Sequence, residues 1–312
     1  MNQEKVLVIV GPTAVGKSAL GIEVAKRFNG EIISGDCMQV YQEMDIGTAK
    51  VTEREKEGIP HYLIDIKKPD ESFSVAEFQK RVHEHIKEIN QRGKLPIIVG
   101  GTGLYINAAL YDYQFTETKR DDSYQLKIEK EIERHGIDQV YQRLIEIDPE
   151  QAKKIHPNNE RRVIRALEIY DRTGQTMTER QAEHHQKLLF HTKIIGLEMA
   201  RPILYQRINH RVDLMLTDGL LEEVRSLYDQ GLKDAQSMKA IGYKEFIPYF
   251  EGEYELEKAV ELLKRNSRRY AKRQYTWFKN QLDVDWYSIT PEKKNYVYKK
   301  IYNDLAGIFK AV

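Results

Sequence analysis

The sequence predicts an α/β protein in which a parallel β-sheet core is interrupted by a helical insertion. Three patterns support this fold class. Up to about residue 115, short apolar runs alternate with helical segments, which is typical of a parallel sheet. From there to about residue 190 the periodicity is helical only, and charged residues are frequent. An apolar strand pattern then returns at residues 191–198.

The first elements follow from the spacing of apolar residues. Residues 6–10 are all apolar, as expected for a strand that is buried on both faces of a sheet. Leu20, Val24 and Phe28 recur four residues apart, which predicts one buried helix face. Residues 31–36 predict a second strand, which ends in an acid.

Capping and turn residues delimit the next elements. Residues 61–65 are a plausible third strand. Ser74 and Glu77 have the spacing of a capping box, and Gly93 is expected to close the helix that they begin. Residues 97–103 combine an apolar strand with the glycine-rich end Gly-Gly-Thr-Gly. Ligands of such sheets bind at the carboxyl ends of the strands.

The insertion is predicted to span residues 116–190. The catalytic core then consists of residues 1–115 and 191–312. After the strand at 191–198, helices are expected at residues 203–216, 219–230 (closed by Gly231) and 255–281.

The overall composition is that of a cytoplasmic globular protein. The net charge is +1, from 49 Lys and Arg residues against 48 Asp and Glu residues, so any basic surface must be local. The single cysteine, Cys37, excludes an internal disulfide and fits a reducing compartment. We find neither a signal segment nor an apolar run of membrane-spanning length. No membrane partner is therefore expected.

A phosphate-binding loop (P-loop) is the most specific motif. It has the pattern G-x-x-x-x-G-K-[ST] and lies between a predicted strand and a predicted helix. Backbone N–H groups and the helix N-terminus can bind phosphate oxygens there, Lys17 adds a charge, and the Ser18 hydroxyl can ligate Mg²⁺. The motif indicates a polyphosphate without specifying which one, and ATP is only the usual choice. The loop residues are Gly11, Pro12, Thr13, Ala14, Val15, Gly16, Lys17 and Ser18.

Asp36 is the candidate catalytic acid or base. Its position after the second strand places it at the same sheet edge as the P-loop. A carboxylate there could orient a nucleophile, accept its proton, or bind a metal through water. An Asp in a turn-forming segment can equally serve to cap the turn. The residues alone leave both interpretations open.

Two basic segments suggest a polyanionic partner. Residues 264–278 contain six cations and no acid, and Arg265, Arg268, Arg269 and Lys272 form one stripe at helical spacing. This pattern favours contact with phosphate groups, although a solvated helix face is the common alternative. Residues 161–165 form a second cluster, in the insertion.

Seven motifs, in order, make the chain resemble the tRNA dimethylallyltransferases, the tRNA isopentenyltransferase family. They cover residues 6 to about 280, and a P-loop alone would not be this specific. Besides the P-loop, they are Ser-Gly-Asp-Cys-Met-Gln-Val-Tyr (34–41), Met-Asp-Ile-Gly-Thr-Ala-Lys (44–50), Gly-Gly-Thr-Gly-Leu-Tyr (100–105), His-Pro-Asn-Asn-Glu-Arg-Arg-Val-Ile-Arg-Ala-Leu-Glu (156–168), Ala-Ile-Gly-Tyr-Lys-Glu (240–245) and Lys-Arg-Gln-Tyr-Thr-Trp-Phe (272–278).

The resemblance implies an activity. The enzyme would transfer a dimethylallyl group from dimethylallyl diphosphate to N6 of adenine 37, next to the anticodon, in tRNAs that read codons beginning with U. It also implies a monomer that uses Mg²⁺. Because position 37 is stacked in the anticodon loop, the base is expected to flip into the enzyme.

The resemblance also assigns roles to residues. The diphosphate and Mg²⁺ would lie at Thr13 to Ser18, with Arg211 nearby, and Asp36 would be the general base. The residues implied in tRNA contact are Asp36, Cys37, Met38, Gln39, Thr102, Gln125, Arg161, Arg162, Arg165, Lys239, Gly242, Tyr243 and Lys244.

Three positions depart from the family pattern. Gly35 stands where many relatives have alanine, and Cys37 where they usually have serine. Gln125 stands near a position where relatives often carry arginine, which puts one phosphate contact in question.

Two other functions are compatible with parts of the sequence. A small-molecule kinase would use the P-loop for ATP and Asp36 for a hydroxyl group, but it would leave the insertion and the basic segments unexplained. A non-catalytic, nucleotide-switched RNA-binding protein would explain the basic segments without a role for Asp36 as a base.

Overall fold

The computed structural model describes residues 4–113, 122–183 and 187–309. The chain packs into two compact units, one formed by residues 1–110 and 188–312 and the other by residues 111–187. The insertion was predicted at residues 116–190, and the predicted boundary between 115 and 116 lies outside the described residues.

The larger unit contains a six-stranded parallel sheet of strand order β3-β2-β4-β1-β5-β6. The prediction of a parallel α/β core is therefore confirmed. The strands are β1 (Lys5–Val10), β2 (Gly30–Ser34), β3 (His61–Tyr62), β4 (Leu95–Gly100), β5 (His191–Glu198) and β6 (Asp285–Ser288).

Strands β2 and β3 are shorter than predicted. β2 ends at Ser34, so Asp36 lies in the loop after the strand and not at its last residue. β3 ends before Leu63 and Asp65, whose backbone φ angles are +62° and +57°. Such left-handed conformations end an extended strand.

Among the described strands, β6 is the one that the sequence interpretation missed. Its four residues read Asp-Trp-Tyr-Ser, which is too short a pattern to signal a strand. It becomes a strand because it pairs with β5, from Ile195 opposite Asp285 to Glu198 opposite Ser288.

Nine described helices belong to the larger unit, and the three predicted after residue 200 are confirmed. The helices are α1 (Lys17–Arg27), α2 (Glu53–Lys56), α3 (Val75–Gln91), α4 (Gly103–Leu110), α10 (Arg201–Thr217), α11 (Leu220–Asp229), α12 (Ile247–Phe250), α13 (Leu256–Gln281) and α14 (Lys294–Ala306).

Helices cover both faces of the sheet. Leu7 and Ile9 of β1 belong to a buried cluster that includes the apolar residues of α1 and α14. Ile98 of β4 lies on the other face of the sheet, next to α4. A Cβ atom on Gly35 would lie 3.2 Å from Ile98 and 3.3 Å from Ile106 of α4. Burial on both faces explains why the central strands are continuous apolar runs.

The cap of α3 is only half of the predicted capping box. The Ser74 hydroxyl accepts a hydrogen bond from the Glu77 N–H at 3.1 Å. The Glu77 carboxylate instead accepts hydrogen bonds from Arg81, one turn further along. One helix donor is thus satisfied, and the acid is used in an i,i+4 pair.

The regular secondary-structure elements described in the smaller unit are all helices. Its core contains Ile128, Val140, Leu144, Val163 and Leu167, contributed by three of its helices. The helices are α5 (Asp122–His135), α6 (Ile137–Ile147), α7 (Pro149–Ala152), α8 (Glu160–Thr173) and α9 (Met177–Glu183).

None of the described helices is both long enough and apolar enough to span a membrane.

Candidate active site

The P-loop connects β1 to α1 at the carboxyl edge of the sheet. Gly11 has a φ of +144°, and a Cβ atom there would lie 2.6 Å from the backbone oxygen of Leu197 in β5. Gly16, with a φ of +107°, is the N-cap of α1. The first glycine is thus required by close packing and the second by the turn into the helix.

Lys17 curls over this loop. Its Nζ donates a hydrogen bond to the Pro12 carbonyl oxygen at 2.8 Å. Burial lowers the pKa of the Lys17 ammonium to about 8, while the nearby charge of Asp36 raises it and that of Arg211 lowers it. The lysine is therefore held in an environment where an additional anion would stabilise its charged form.

Asp36 forms the turn that the sequence allowed and also lines the site. Its Oδ1 accepts a hydrogen bond from the Met38 N–H at 2.8 Å, so the Asx turn is present. Burial raises the pKa of the Asp36 carboxyl, whereas the Met38 N–H and Lys17 act in the opposite direction. Turn formation and a place in the cavity are compatible, so these two interpretations do not exclude each other.

Arg211 of α10 faces the same region. Burial lowers the pKa of its guanidinium, and the charge of Asp36 raises it. Lys17, Asp36 and Arg211 therefore form one electrostatically linked group at the P-loop.

Two adjoining cavities meet at this group. A cavity of about 830 Å³ is lined by the P-loop with Lys17 and Ser18. A second, of about 240 Å³, has a mainly apolar lining that includes Ala14, Met38, Ile208, Val212, Met215 and Leu263. Asp36, Arg211 and Tyr270 belong to the walls of both. A carboxylate, a guanidinium and a phenol thus lie where the cavity at the P-loop meets an apolar cavity.

Thr102 supports the segment that follows Asp36. Its Oγ1 accepts a hydrogen bond from the Cys37 N–H at 3.2 Å, and its own N–H donates to the Gly35 carbonyl at 3.3 Å. Burial raises the pKa of the Cys37 thiol to about 12, so Cys37 remains a neutral, unreactive group.

Gln39 holds in place the wall formed by Thr48 and Ala49, which line both cavities. Its Oε1 accepts a hydrogen bond from the Ser34 hydroxyl at 2.8 Å, and its Nε2 donates to the carbonyls of Thr48 and Ala49 at 3.2 and 3.3 Å. These internal hydrogen bonds favour a positioning role for the Gln39 side chain, alongside its predicted place near the target nucleotide.

Glu223 of α11 holds residues 45–47, which precede Thr48 and Ala49 in the same wall. No sequence motif pointed to Glu223. Its carboxylate accepts hydrogen bonds from three consecutive backbone N–H groups, those of Asp45, Ile46 and Gly47, at 2.8–3.0 Å. It also accepts one from the Tyr243 hydroxyl at 2.6 Å. The segment 45–47 is therefore bound as a unit by a carboxylate from another element.

The segment containing residues 239–244 divides into exposed and buried positions. Lys239 and Lys244 are exposed and available to a partner. Gly242 is buried, and its N–H donates to Glu245. Tyr243 is 0 % exposed and packs against Gly47, so its geometry favours anchoring the wall over a direct contact with tRNA.

The predicted contacts of the insertion lie on α5 and α8. Arg161 and Arg162 are exposed at the start of α8, whereas Arg165 donates to Glu168 at 2.7 Å. Gln125 is partly buried and donates to Glu129 one turn away.

The fold and the loop place the protein among the α/β proteins that carry a glycine-rich loop with the P-loop sequence pattern at the carboxyl edge of a parallel sheet. Comparison with known proteins narrows this class. The family model described as IPP transferase matches residues 39–281. The chain belongs to this family.

Similar proteins extend over nearly the whole chain. It is 58% identical over 294 residues to the tRNA dimethylallyltransferases of Bacillus anthracis and Bacillus cereus AH187, which covers 94% of this chain and 94% and 93% of theirs. The solved tRNA isopentenylpyrophosphate transferase of Bacillus halodurans is 49% identical, with a TM-score of 0.73, covering 98% of this chain and 96% of that one. A solved eukaryotic dimethylallyltransferase acting on tRNA is 35% identical, with a TM-score of 0.83, covering 99% and 81%.

Proposed function

We propose that the protein is a tRNA dimethylallyltransferase that transfers a dimethylallyl group from dimethylallyl diphosphate to N6 of adenine 37, in tRNAs that read codons beginning with U. The observation that carries the proposal is the position of Asp36 and Arg211 between the P-loop cavity and the apolar cavity. The P-loop cavity suits the diphosphate, and the apolar cavity suits the prenyl group and the flipped base. The names of the similar proteins support the same activity.

The first task of the site is to stabilise the leaving diphosphate. Breaking the allylic C–O bond leaves negative charge on the diphosphate oxygens. The P-loop N–H groups, Lys17 and Arg211 are held in place before the reaction, which is the arrangement that stabilises developing charge most effectively. The negative charge of the bound diphosphate would further stabilise the protonated form of Lys17.

The residues present fit a magnesium ion that is shared with the substrate. No group of three or more His, Cys, Asp or Glu side chains suited to a metal occurs among residues 4–113, 122–183 and 187–309. The exposed Ser18 hydroxyl lies in the P-loop cavity, and Mg²⁺ commonly uses one or two protein oxygens with substrate phosphates and water. Mg²⁺ would be held by Ser18 and the diphosphate, and would supply further charge stabilisation for the leaving group.

The second task is to remove a proton from the adenine. The exocyclic amine is a weak nucleophile and loses a proton as its nitrogen forms the new C–N bond. Asp36, with a pKa raised by burial, is a stronger base than an ordinary aspartate. We assign Asp36 as the general base.

The third task is access to the base. Adenine 37 is stacked in the anticodon loop and would have to flip out to reach Asp36. The apolar cavity offers a dry environment for the flipped base and the prenyl group. Arg161, Arg162, Lys239 and Lys244 are exposed, and their positive charges would contact phosphate groups of the tRNA. We further propose that the enzyme acts as a cytoplasmic monomer.

Mass spectrometry of tRNA nucleosides tests the proposal. The protein is incubated with Mg²⁺, an unmodified tRNA transcript carrying adenine 37, and labelled dimethylallyl diphosphate. N6-(dimethylallyl)adenosine at position 37 is the expected product. A parallel reaction with labelled ATP is the control donor, and transfer of label only from ATP to a small metabolite would overturn the proposal in favour of a kinase.

A further inference from the structure

Helices α10 and α13 pack side by side and run in opposite directions. Lys264 pairs with Asp213 at 2.5 Å, and one turn further along α13 Arg268 Nη1 donates to Asn209 Oδ1 at 2.6 Å. The partner on α10 thus moves back by one turn as the donor on α13 moves forward, which fixes the register of the two helices. Both cations are used within the protein, so Arg268 does not belong to an open cationic stripe as its spacing suggested.

These two helices form much of the wall of the apolar cavity. Ile208 and Val212 of α10, and Leu263 and Ser267 of α13, line this cavity and do not line the P-loop cavity. Each pair is spaced four residues apart and therefore lies on one side of its helix. Leu263 and Val212 are only 2% and 3% exposed, so packing holds both side chains in place.

Leu263 lies away from the reacting groups along α13. Tyr270, which belongs to the walls of both cavities, is two helical turns further along, a distance of about 10 Å. The register of the helix pair puts Leu263 within one turn of Val212. A chain that enters the apolar cavity beside Tyr270 therefore ends against Leu263 and Val212.

The volume of the apolar cavity limits what it can hold. The cavity measures about 240 Å³, and at the packing density of protein interiors this is filled by roughly 180 Å³ of atoms, or about 15 non-hydrogen atoms. An adenine ring and a dimethylallyl group together reach this number. A donor that is longer by one isoprene unit would add five carbons, for which no space remains beside the base.

We infer that Leu263 and Val212 determine the length of the prenyl donor, because they close the apolar cavity behind a five-carbon chain. This inference rests on the proposed function, since it takes the donor to be an allylic diphosphate and the acceptor to be adenine. The two side chains contact only the end of the chain. They therefore exclude longer donors without taking part in the transfer.

Geranyl diphosphate, which is longer than dimethylallyl diphosphate by one isoprene unit, is the test substrate. Leu263→Ala removes three carbons and Val212→Ala removes two, so the double variant frees as many carbons as the longer chain adds. Such truncations leave space because the surrounding structure relaxes only in part. The reaction itself is the same: C1 of the geranyl group forms a bond to N6, the C–O bond breaks with its electron pair leaving on the diphosphate, and the N6 proton passes to Asp36.

The quantity to measure is the kcat/KM for geranyl diphosphate divided by that for dimethylallyl diphosphate, from mass spectrometry of the tRNA nucleosides. We expect this ratio to be below about 0.01 in the parent protein and to rise by about tenfold or more in the double variant. The single variants should lie between these two proteins, in the order of the carbons removed. They keep the test decisive if the double variant does not fold.

A matched control removes the same carbons elsewhere. Leu204→Ala with Val82→Ala truncates a leucine and a valine that are 2% and 0% exposed and line neither of the two cavities. It measures the effect of lost packing, and its ratio should equal that of the parent protein. Equal use of both donors by the parent, an equal rise in the control, or an unchanged ratio in cavity variants that melt cooperatively would overturn the inference.

A binding measurement separates this inference from the proposed function. Each protein also carries Asp36→Ala, so that no transfer occurs. In the protein with the intact cavity the longer chain should occupy the space of the base, and geranyl diphosphate should weaken tRNA binding by about tenfold relative to inorganic diphosphate. The double variant should lose this effect.

The two kinds of failure give different results. If the parent protein transfers the dimethylallyl group but neither the kcat/KM ratio nor the effect on tRNA binding changes in the double variant, only the inference about chain length fails. If the parent transfers no dimethylallyl group but geranyl diphosphate weakens tRNA binding only when the cavity is intact, the cavity still limits chain length and the proposed activity fails.

Discussion

Gln274 of α13 accepts a hydrogen bond from the backbone N–H of Thr13 at 2.8 Å. Its Nε2 donates to the carbonyl of Gly101 at 2.9 Å, and the side chain is only 5% exposed. A single buried amide therefore joins the P-loop to the loop after β4. An amide is suited to this position because it offers both an acceptor oxygen and N–H donors.

Replacing Gln274 by Glu should weaken diphosphate binding. A carboxylate can still accept from Thr13, but it would face the Gly101 carbonyl with no donor and would add negative charge beside the diphosphate. We expect a loss of about 1–3 kcal/mol in the free energy of unfolding and at least about a tenfold weaker binding of inorganic diphosphate. Denaturant unfolding and isothermal titration calorimetry measure the two effects.

The control for this substitution is Gln142→Glu, which makes the same chemical change at an exposed position of α6. It should leave both quantities near their parent values. Equal diphosphate affinity in Gln274→Glu and Gln142→Glu would contradict the role assigned to the buried amide.

The pKa of Lys17 predicts how diphosphate binding depends on pH. Its ammonium has a pKa of about 8 in the free protein, and the bound anion favours the charged form. Below pH 8 the lysine is already protonated and binding is strong. As the pH rises above 8, the free protein loses this charge, so the Kd for inorganic diphosphate should increase.

Lys17→Arg is the informative variant here, because a guanidinium stays charged throughout this range. Its affinity will differ from that of the parent, but the increase in Kd above pH 8 should disappear. The same alkaline increase in both proteins would show that another group is responsible.

Asp36 should affect turnover far more than tRNA binding. In Asp36→Ala the base is lost while the exposed cations remain, so tRNA affinity should stay within a few-fold and modification should fall by about 100-fold or more. Single-turnover kinetics and tRNA titration measure the two. Unchanged turnover would remove Asp36 from the base role, and tRNA binding that responds to ATP or GTP without any modification activity would favour the nucleotide-switched alternative.

The raised pKa of Asp36 predicts the acidic side of the pH profile. Because burial raises this pKa, the base should become protonated, and kcat/KM should fall, at a higher pH than for an exposed aspartate. Asp36→Asn retains an acceptor for the Met38 N–H but cannot take up the proton. It should therefore lose activity at every pH, which separates the base role from the turn.

Glu223→Gln should loosen the wall formed by residues 45–49. The amide nitrogen of glutamine cannot accept the N–H groups that a carboxylate oxygen accepts, so at least one donor is left unpaired. We expect a decrease of about 2–3 kcal/mol in the free energy of unfolding. The KM for substrate should rise, because Gly47, Thr48 and Ala49 line the apolar cavity.

The neighbouring Glu222 provides the comparison. It is exposed on the same helix, and Glu222→Gln makes the same change in charge without breaking a hydrogen bond to the wall. Matching unfolding curves for the two variants would show that the contacts of Glu223 with residues 45–47 contribute little.

Local patterns were sufficient for most of the fold. The strand at 191–198 and the helices α10, α11 and α13 were predicted nearly to their observed ends, because apolar periodicity and terminal glycines act within a few residues. The helices α12 and α14 were not predicted. β6 was not predictable in this way, because its four residues become a strand only through pairing with β5.

The candidate site shows a similar division. The P-loop and Asp36 were found from the sequence because motif and strand order bring them to one sheet edge. Gln274 and Glu223 were missed as site residues. Gln274 binds a backbone N–H 261 residues away in the chain, and Glu223 binds three that are 176–178 residues away. Such distances leave no local pattern.

By itself, the sequence determined the class of fold, the phosphate-binding loop and the chemistry that a lysine, a serine and an aspartate can provide. Those features depend on short-range spacing and on the nature of the side chains. Only the tertiary structure decided that Asp36 lies where two cavities meet, that Tyr243 is buried, and that Lys264 and Arg268 of α13 are bound to residues of α10. These outcomes depend on which elements pack against each other, and packing between distant segments determines which side chains remain available to a ligand.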